Sequence, residues 1–301
     1  MKKAKIVVLG STNTDMVISG ERIPVPGETV SGGTFMMNPG GKGANQTVAV
    51  ARLSKEPRSC VFIGKVGDDL FGRDCRRRMK ADGISARLAL DAKTPSGTAL
   101  ILVDKRGQNV ISVALGANGT LSPKDIEPFY DTIKRASTLV MQLETPLETV
   151  VAAARAAHGA GVRVILNPAP ARRLPRELYP LVDWITPNET EAEKLTGVKV
   201  SDEESAAKAV AVLKKRGVAH VLVTMGAKGV YCGDCGRLFP ARKVKAVDCV
   251  AAGDTFNGAF AVALSEGESP ARAIMFAQKA AAISVTRPGA QSSVPYRKEI
   301  K

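Results

Sequence analysis

The chain has 301 residues, of which 43 are Lys or Arg and 29 are Asp or Glu, so its formal net charge is +14. Its 45% hydrophobic and 24% charged residues are typical of a globular protein and exclude a disordered one. No stretch approaches the ~18 apolar residues of a membrane span, and the apolar run after the basic start is too short for a signal peptide. We therefore expect a cytoplasmic protein with reduced cysteines and no membrane partner.

The positive charge raises the question of a nucleic-acid partner. The basic residues are dispersed in short runs, such as residues 76–78 and 214–216, and aromatic residues make up only 4% of the chain. Nucleic-acid binding usually combines a continuous basic surface with aromatic stacking platforms. We expect no nucleic-acid partner, but a basic surface that attracts small anionic substrates. A nucleic-acid-binding module without enzymatic activity is the alternative that the charge leaves open.

Short apolar runs alternate with segments of helical period along the chain. We predict strands at residues 5–10, 61–66, 139–143, 162–167, 184–186 and 220–225. We predict helices at residues 44–53, 70–81, 147–159, 203–216, 254–265 and 270–285. This alternation indicates right-handed crossovers and a mostly parallel sheet with helices on both faces. The predicted fold class is doubly wound α/β.

Two regions, residues 15–38 and 97–115, interrupt the alternation. They contain β-branched and aliphatic runs separated by Gly and Pro turn signals, with no helical segment. The runs lie at residues 16–18, 29–30, 99–103 and 110–113. We predict two antiparallel hairpins that form a small second sheet, placed near strand ends so that it can act as a lid. The whole chain, 1–301, is then one α/β domain with a small antiparallel β lid.

Cys232 and Cys235 have a spacing that occurs in zinc sites. A second pair is missing and neither histidine is close in sequence. Gly233 and Asp234 between them suit a tight turn, so a hairpin is the favoured interpretation.

Ligands of doubly wound sheets bind where the parallel strands end. The residues that follow the predicted strands, including a further run at 244–247, are Ser11, Thr12, Asn13, Glu144, Asn167, Asn188, Glu189, Gly226 and Asp248. Their hydroxyls, amides and carboxylates favour a polyhydroxylated substrate and a phosphate donor.

The strongest single segment is residues 251–258, where small residues lead into an apolar helix. Free amides at a helix start, aided by the helix dipole, attract anions such as a phosphoryl group. A carboxylate at Asp254 would suit a base that takes a proton from an attacking hydroxyl. The alternative is that Asp254 only caps the helix.

Two glycine-rich turns add weaker signals. Residues 40–45 form neither a Walker A loop nor a dinucleotide fingerprint. With Asn13 and Asp15 they would contact sugar hydroxyls, or else form a tight loop packed on the sheet. Residues 224–229 follow a buried strand and form a turn where a nucleotide could lie.

Several of these segments together resemble the ribokinase family of sugar kinases. They are Gly40-Gly-Lys-Gly-Ala-Asn45, Met141-Gln-Leu-Glu144, Leu166-Asn-Pro-Ala-Pro170, Thr186-Pro-Asn-Glu-Thr-Glu-Ala-Glu-Lys-Leu-Thr-Gly197 and Asp248-Cys-Val-Ala-Ala-Gly-Asp-Thr-Phe-Asn-Gly258. The match runs in order from about Lys5 to Pro295. The resemblance implies ATP-dependent phosphorylation of D-ribose at O5, and a kinase of the same fold acting on deoxyribose, a nucleoside or a hexose is the nearest alternative.

The resemblance also implies roles for individual residues. Asp254 matches the catalytic base, and the amides of Ala252 and Gly253 match an anion hole. The sugar-binding positions are Ser11, Asn13, Asp15, Gly41, Lys42, Gly43, Asn45, Glu144 and Asp254. The ATP-binding positions are Asn188, Thr224, Gly226, Gly229, Gly253 and Gln278.

A monovalent-cation site beside the anion hole, with K⁺ as the usual occupant, matches Asp248, Val250, Ser284, Arg287, Gly289 and Ser293. Mg²⁺ would arrive with ATP, held mainly by phosphates and water. The resemblance further implies a homodimer in which exposed edges of the lid sheet pair between subunits. Pro39, Cys249 and Gln278 depart from the residues common in the family.

Overall fold

The computed structural model describes residues 5–300 of the chain. The strands are β1 (Ile6–Leu9), β2 (Asn13–Ser19), β3 (Thr34–Gly40), β4 (Cys60–Gly67), β5 (Ser85–Asp91), β6 (Gly97–Val103), β7 (Asn109–Ala114), β8 (Thr138–Met141), β9 (Arg163–Leu166), β10 (Trp184–Ile185), β11 (His220–Thr224), β12 (Gly229–Cys232) and β13 (Arg237–Pro240). The α-helices are α1 (Lys42–Leu53), α2 (Leu70–Ala81), α3 (Pro123–Ile126), α4 (Tyr130–Lys134), α5 (Leu147–His158), α6 (Glu189–Thr196), α7 (Glu203–Lys215), α8 (Ala252–Ser265) and α9 (Pro270–Ser284).

Within residues 5–300, nine strands form one large sheet in the order β13-β12-β11-β10-β9-β8-β1-β4-β5. The pairs from β11 to β5 are all parallel, whereas β12 and β13 add an antiparallel edge. Strands β1 and β8 are buried along their whole length, as expected of parallel strands covered on both faces. The predicted doubly wound α/β fold is confirmed.

Helices cover both faces of the large sheet because successive strand residues point to opposite sides. In β1, Val7 and Leu9 pack in the core that contains α5 and α7. Ile6 and Val8 pack in the second core, which contains α1, α8 and α9. The helix α8, which carries Asp254, is therefore held between the sheet and α9.

The small sheet has the order β3-β2-β6-β7. It consists of two antiparallel hairpins, β2–β3 and β6–β7, joined through a parallel pair between β2 and β6. The predicted strand at residues 29–30 is wrong: the second strand of the first hairpin is β3, since Gly32 at φ +91° and Gly33 still belong to the connection.

Two other local predictions, a strand at residues 244–247 and a hairpin at Cys232 and Cys235, have different outcomes. The run at residues 244–247 is not a strand; the amides of Val247 and Asp248 instead donate to the carbonyl of Val285 after α9. The hairpin at Cys232 and Cys235 is confirmed, because the turn between β12 and β13 contains both residues 233 and 234. Strand β5 and helices α3, α4 and α6 were not predicted. No helix in residues 5–300 is both long and apolar enough to cross a bilayer.

Candidate active site

Helix α8 begins without a side-chain cap. Ala251 before it adopts a left-handed conformation at φ 57°, and none of its side-chain atoms accepts a hydrogen bond from the first turn. The backbone N–H of Ala252 donates to the Cys249 carbonyl oxygen at 3.3 Å, whereas the amides of Gly253 and Asp254 have no acceptor among residues 5–300 and are available to an anion. A Cβ built on Gly253 would meet no atom within 4 Å, so there is open space at this helix start.

The Asp254 carboxylate does not cap α8 but faces α1. It is only 7% exposed and accepts hydrogen bonds from Asn45 Nδ2 and Gln46 Nε2, both at 2.9 Å. The two helices approach closely enough for these contacts because Gly258 faces α1; a Cβ there would lie 2.5 Å from Ala49 Cβ. Capping, the alternative that the sequence left open, is thus not the role of this side chain.

Charge around Asp254 is balanced by Lys42. Burial raises the pKa of Asp254, while Lys42 and the amide donors of Asn45 and Gln46 act in the opposite direction. Burial alone would lower the pKa of Lys42, but the carboxylates of Asp254, Glu144 and Glu191 outweigh it and raise that pKa. The site therefore contains a protonated lysine among three carboxyl groups.

The predicted sugar-binding residues meet at the ends of β1 and β8. Ser11 Oγ donates to Glu144 Oε2 at 2.5 Å, and the backbone N–H of Lys42 donates to the same oxygen at 3.0 Å. Asn13 Oδ1 accepts from Asn118 Nδ2 at 2.8 Å. These contacts fix the polar groups that face the interior of the site.

Asp15 enters the site from the small sheet. Burial, with the charge of Glu144 as a smaller cause, raises the pKa of Asp15 to about 6. Gly40 lies across the hairpin, and a Cβ on it would be 2.1 Å from Asp15 Oδ2. The glycine thus leaves room for this carboxylate.

The glycine loop before α1 packs tightly on the chain after β1. Gly41 has φ +88°, and a Cβ there would lie 2.7 Å from Thr12 Cα. A Cβ on Gly43 would lie 2.6 Å from the backbone nitrogen of Ser11. The two interpretations of this loop, contact with sugar hydroxyls and tight packing on the sheet, are therefore compatible, because tight packing is what brings Lys42 and Asn45 beside Asp254.

The predicted nucleotide positions gather at the ends of β10 and β11. Asn188 caps α6 through a hydrogen bond from the backbone N–H of Glu191, and it forms a parallel bridge with Thr224. Gly229, at φ +125°, approaches β13 so closely that a Cβ would be 2.0 Å from the Phe239 carbonyl oxygen.

Gly226 and Gln278 complete this set. Gly226 begins the turn after β11 with φ +50°. Gln278 Nε2 donates to the Phe239 carbonyl oxygen at 2.8 Å, so this side chain joins α9 to β13 beside Gly229.

Asp248 joins the two loops of the predicted cation site. Its Oδ1 accepts from the backbone N–H of Val250 at 2.9 Å, and its Oδ2 accepts from that of Gly289 at 2.8 Å. Ser284 and Ser293 are fully buried in the same region. Arg287 points its guanidinium to Glu299, so only its backbone is available to this site.

Sequence reasoning gave no individual role to a group of buried amides behind the site, although it noted Asn167 at a strand end. Gln46, Gln142 and Asn257 are at most 1% exposed, and Asn167 is 7% exposed. Asn257 Nδ2 donates to the carbonyl oxygen of Gly253 at 2.8 Å and steadies the first turn of α8. The quoted segments contain all of these residues except Gln46, which directly follows Asn45.

A cleft of about 510 Å³ opens between α2 and the small sheet. Asn13 and Gly97 belong to its wall, but its outer side carries Arg73, Arg77 and Arg78. These arginines pair with Asp68 and Asp74. The cleft adjoins the sugar-binding residues and does not contain Asp254.

Comparison with known proteins identifies similar chains over nearly the full length. The pfkB family of carbohydrate kinases matches residues 3–297. A ribokinase of Haemophilus influenzae is 47% identical over 297 residues, covering 98% of this chain and 96% of its own. A deoxyribokinase of Salmonella typhi is 38% identical over 294 residues, covering 96% and 95%.

Solved structures agree with this similarity. The Arabidopsis thaliana ribokinase complexed with ribose and ATP has a TM-score of 0.89 and 34% identity, covering 99% of this chain and 97% of its own. The predicted resemblance to ribokinase-family kinases is confirmed.

Proposed function

The chain belongs to the pfkB family of carbohydrate kinases, and from this premise we propose that it transfers the γ-phosphoryl group of ATP to O5 of D-ribose, giving D-ribose 5-phosphate and ADP. The observation that carries the proposal is the Asp254 carboxylate, buried at the uncapped start of α8 and flanked by Lys42. The 47% identity to a ribokinase over 98% of the chain supports the choice of sugar.

Asp254 is proposed to take the proton of the attacking hydroxyl. Its raised pKa brings it closer to that of a proton acceptor useful near neutral pH. The first amides of α8, at Ala252 and Gly253, would stabilise the charge that develops on the transferred phosphoryl group. The Gly253 amide is available for this, whereas that of Ala252 would have to exchange its 3.3 Å hydrogen bond to the Cys249 carbonyl oxygen. Phosphoryl transfer depends mainly on such positioning and charge stabilisation.

The ribose hydroxyls are proposed to contact side chains and amides on three sides. These residues are Ser11, Asn13, Asp15, Gly41, Lys42, Gly43, Asn45 and Glu144. Carboxylates at Asp15 and Glu144 accept hydrogen bonds, and a sugar supplies hydroxyl donors. The fixed contacts of Ser11 and Asn118 support this proposal, because they leave the acceptors oriented before a sugar binds.

ATP is proposed to bind at Asn188, Thr224, Gly226, Gly229, Gly253 and Gln278. The support is that Asn188 and Thr224 form a bridge after β10 and at the end of β11, and that Gly229 and Gln278 both lie against the Phe239 carbonyl oxygen. Mg²⁺ would be held by the phosphates and by water, since this ion dehydrates reluctantly.

K⁺ is proposed to bind between the loops joined by Asp248. The donor set fits a hard cation, since the positions Asp248, Val250, Ser284, Arg287, Gly289 and Ser293 offer oxygen ligands, mainly carbonyls. A bound K⁺ would supply positive charge beside the anion hole. Equal phosphorylation rates in Na⁺ and K⁺ buffers would contradict this part of the proposal.

A homodimer through the small sheet is also proposed. Eight apolar side chains of this sheet are 46–57% exposed: Ile18, Phe35, Met36, Met37, Leu100, Val110, Ile111 and Val113. An apolar surface of this kind usually contacts another molecule. A cytoplasmic location is proposed as well, supported by the five free thiols.

A coupled assay of ADP release tests the activity. Ribose, deoxyribose, fructose and adenosine are compared as acceptors, each with and without K⁺. We expect ribose to give the highest kcat/KM. Deoxyribose is the second candidate, favoured by the 38% identity to a deoxyribokinase, and a higher kcat/KM for it would replace ribose as the substrate.

A further inference from the structure

Two glutamines lie in line with the Asp254 carboxylate. Gln142 Nε2 donates to Gln46 Oε1 at 2.6 Å, and Gln46 Nε2 donates to Asp254 Oδ1 at 2.9 Å. The second hydrogen of the Gln46 amide goes to Asn167 Oδ1 at 3.1 Å. Every hydrogen-bonding atom of the Gln46 amide is therefore used.

The carboxylate determines the direction of this chain of hydrogen bonds. An ionised Asp254 only accepts, so Gln46 must turn its NH₂ group toward it and its carbonyl oxygen away. Gln142 must then present its own NH₂ group to that oxygen. Gln142 orients Gln46, and Gln46 in turn contacts the carboxylate.

This orientation leaves one buried oxygen unpaired. Gln142 Oε1 has no hydrogen-bond partner among residues 5–300. It lies against the chain after β1, where a Cβ on Gly10 would come within 2.1 Å of it. A buried unpaired carbonyl is unfavourable and rare in native proteins, so its retention calls for a functional explanation.

We propose that Gln46 is a positioning residue for Asp254, and that Gln142 acts through Gln46 by fixing the direction of its amide. This inference rests on the proposed role of Asp254 as the base. The amide keeps the carboxylate turned toward the acceptor hydroxyl while Asn45 holds its other oxygen from the same helix. Gln46 has no assigned contact with sugar or nucleotide.

The proposal predicts how acid inactivates the enzyme. A donor to the ionised carboxylate favours that form, so its loss makes protonation easier. The other charged groups that act on Asp254 are Lys42 of α1 and Glu144 after β8, and Glu191 of α6 interacts with it as well. None of these changes in a Gln46 or Gln142 variant.

The test measures the single-turnover rate of phosphoryl transfer against pH, at saturating sugar and ATP. In Gln46→Met the acid limb is expected to move upward by roughly one pH unit, with the Kd for ATP unchanged. Gln142→Met is expected to move it in the same direction. The double variant should match Gln46→Met alone, because Gln142 acts only through Gln46.

Two further variants separate this role from general loss of stability. Gln46→Glu keeps the size of the side chain and adds a like charge, so it should move the acid limb further upward than Gln46→Met. Thr149→Val removes a buried hydroxyl in the first turn of α5 that donates to the carbonyl oxygen of Leu121, a residue with no assigned role in the site. It should lower the melting temperature and leave the acid limb in place.

The outcomes distinguish the role of Asp254 as the base from the positioning roles of Gln46 and Gln142. If Asp254→Asn retains turnover, the proposed base is wrong. If Asp254→Asn is inactive while Gln46→Met and Gln46→Glu keep the wild-type acid limb, only the positioning role is overturned. A double-variant shift equal to the sum of the two single shifts would overturn the role of Gln142.

Discussion

The two sheets of this chain meet at one site but prepare it differently. At the end of the large sheet, buried groups hold one another: Asp254 is bound by two amides, and Ser11 is bound to Glu144. In the small sheet, Asp15 enters the site with its pKa raised to about 6, and its apolar neighbours are half exposed.

The difference shows which half of the site is ordered by its own contacts. At the large sheet the carboxylates of Asp254 and Glu144 accept hydrogen bonds from the chain itself, so they are oriented before any ligand binds. The small sheet exposes apolar side chains, and its Asp15 carboxylate can still accept hydrogen bonds from a ligand. Changes on the large sheet should therefore reduce the rate of reaction, whereas changes on the small sheet should alter binding and association.

The largest effect is expected at the large sheet, from Asp254→Asn. An amide cannot accept the hydroxyl proton, so kcat should fall by about 10²–10⁴-fold. ATP binding, measured by calorimetry, should persist because the helix amides remain. Asp131→Asn, a change at an exposed carboxylate 81% accessible to solvent, is the control and should be as active as the wild type. Unchanged turnover in Asp254→Asn would contradict the assignment of the base.

The next effect concerns Asp15 on the small sheet and depends on pH. Its proton is bound more tightly in the folded chain, since the pKa rises from 3.8 to about 6. Below pH 6 the protonated carboxyl accepts sugar hydroxyls poorly, so the KM for the sugar should rise by up to about tenfold per pH unit while the KM for ATP stays constant. In Asp15→Asn the KM for the sugar should be high and independent of pH over this range.

The Asp15 carboxyl group affects stability in the opposite sense: low pH weakens sugar binding but stabilises the fold. A raised folded-state pKa stabilises the fold at low pH, and this contribution is lost as the pH rises from about 4 to about 6. Asp15→Asn should therefore be more stable than the wild type above pH 6, on the order of 1 kcal/mol by urea unfolding, with no such gain at pH 4. A less stable variant at pH 7 would show that the carboxylate is satisfied in the folded chain.

Another prediction tests the apolar surface of the small sheet. Phe35 is 56% exposed on the edge strand β3, and the proposed homodimer predicts that Phe35→Asp shifts the chain from dimer to monomer in sedimentation velocity. Leu70→Asp is the matched control: Leu70 is 74% exposed but lies on α2, so its replacement should leave the mass unchanged. A Phe35→Asp variant that sediments like the wild type would contradict pairing through this sheet.

The elements that could be predicted were those with a strong local signal. Helix α2 was predicted with its observed bounds from the helical period of residues 70–81, and the structure shows Asp69 before it as an N-cap that accepts from the Gly72 amide. Helix α6 was missed because only Ala192 and Leu195 of its eight residues are buried, too few to show a helical period, although Asn188 and Glu191 form a capping box that the sequence displays.

The positions of the site residues could be predicted from the sequence, but their hydrogen-bond partners could not. The sequence placed Asp254 at a helix start, yet its hydrogen bonds come from α1, more than 200 residues earlier. The amides of Gln46 and Gln142 meet across 96 residues. The contact between Gln46 and Asp254 depends on the close approach of α1 and α8 at Gly258, which no local pattern encodes.

The smallest effect is expected from Gln278→Leu, at the antiparallel edge of the large sheet. Its amide donates to the Phe239 carbonyl, and losing this hydrogen bond should cost about 1 kcal/mol and lower the melting temperature by a few degrees. Because the amide holds β13 in place beside Gly229, the KM for ATP should rise by no more than about threefold, on the order of 0.6 kcal/mol. Tenfold weaker ATP binding with an unchanged melting temperature would show instead that Gln278 binds the nucleotide directly. The hydrogen bonds of this side chain would then be completed by the ligand, as is proposed for Asp15 in the small sheet.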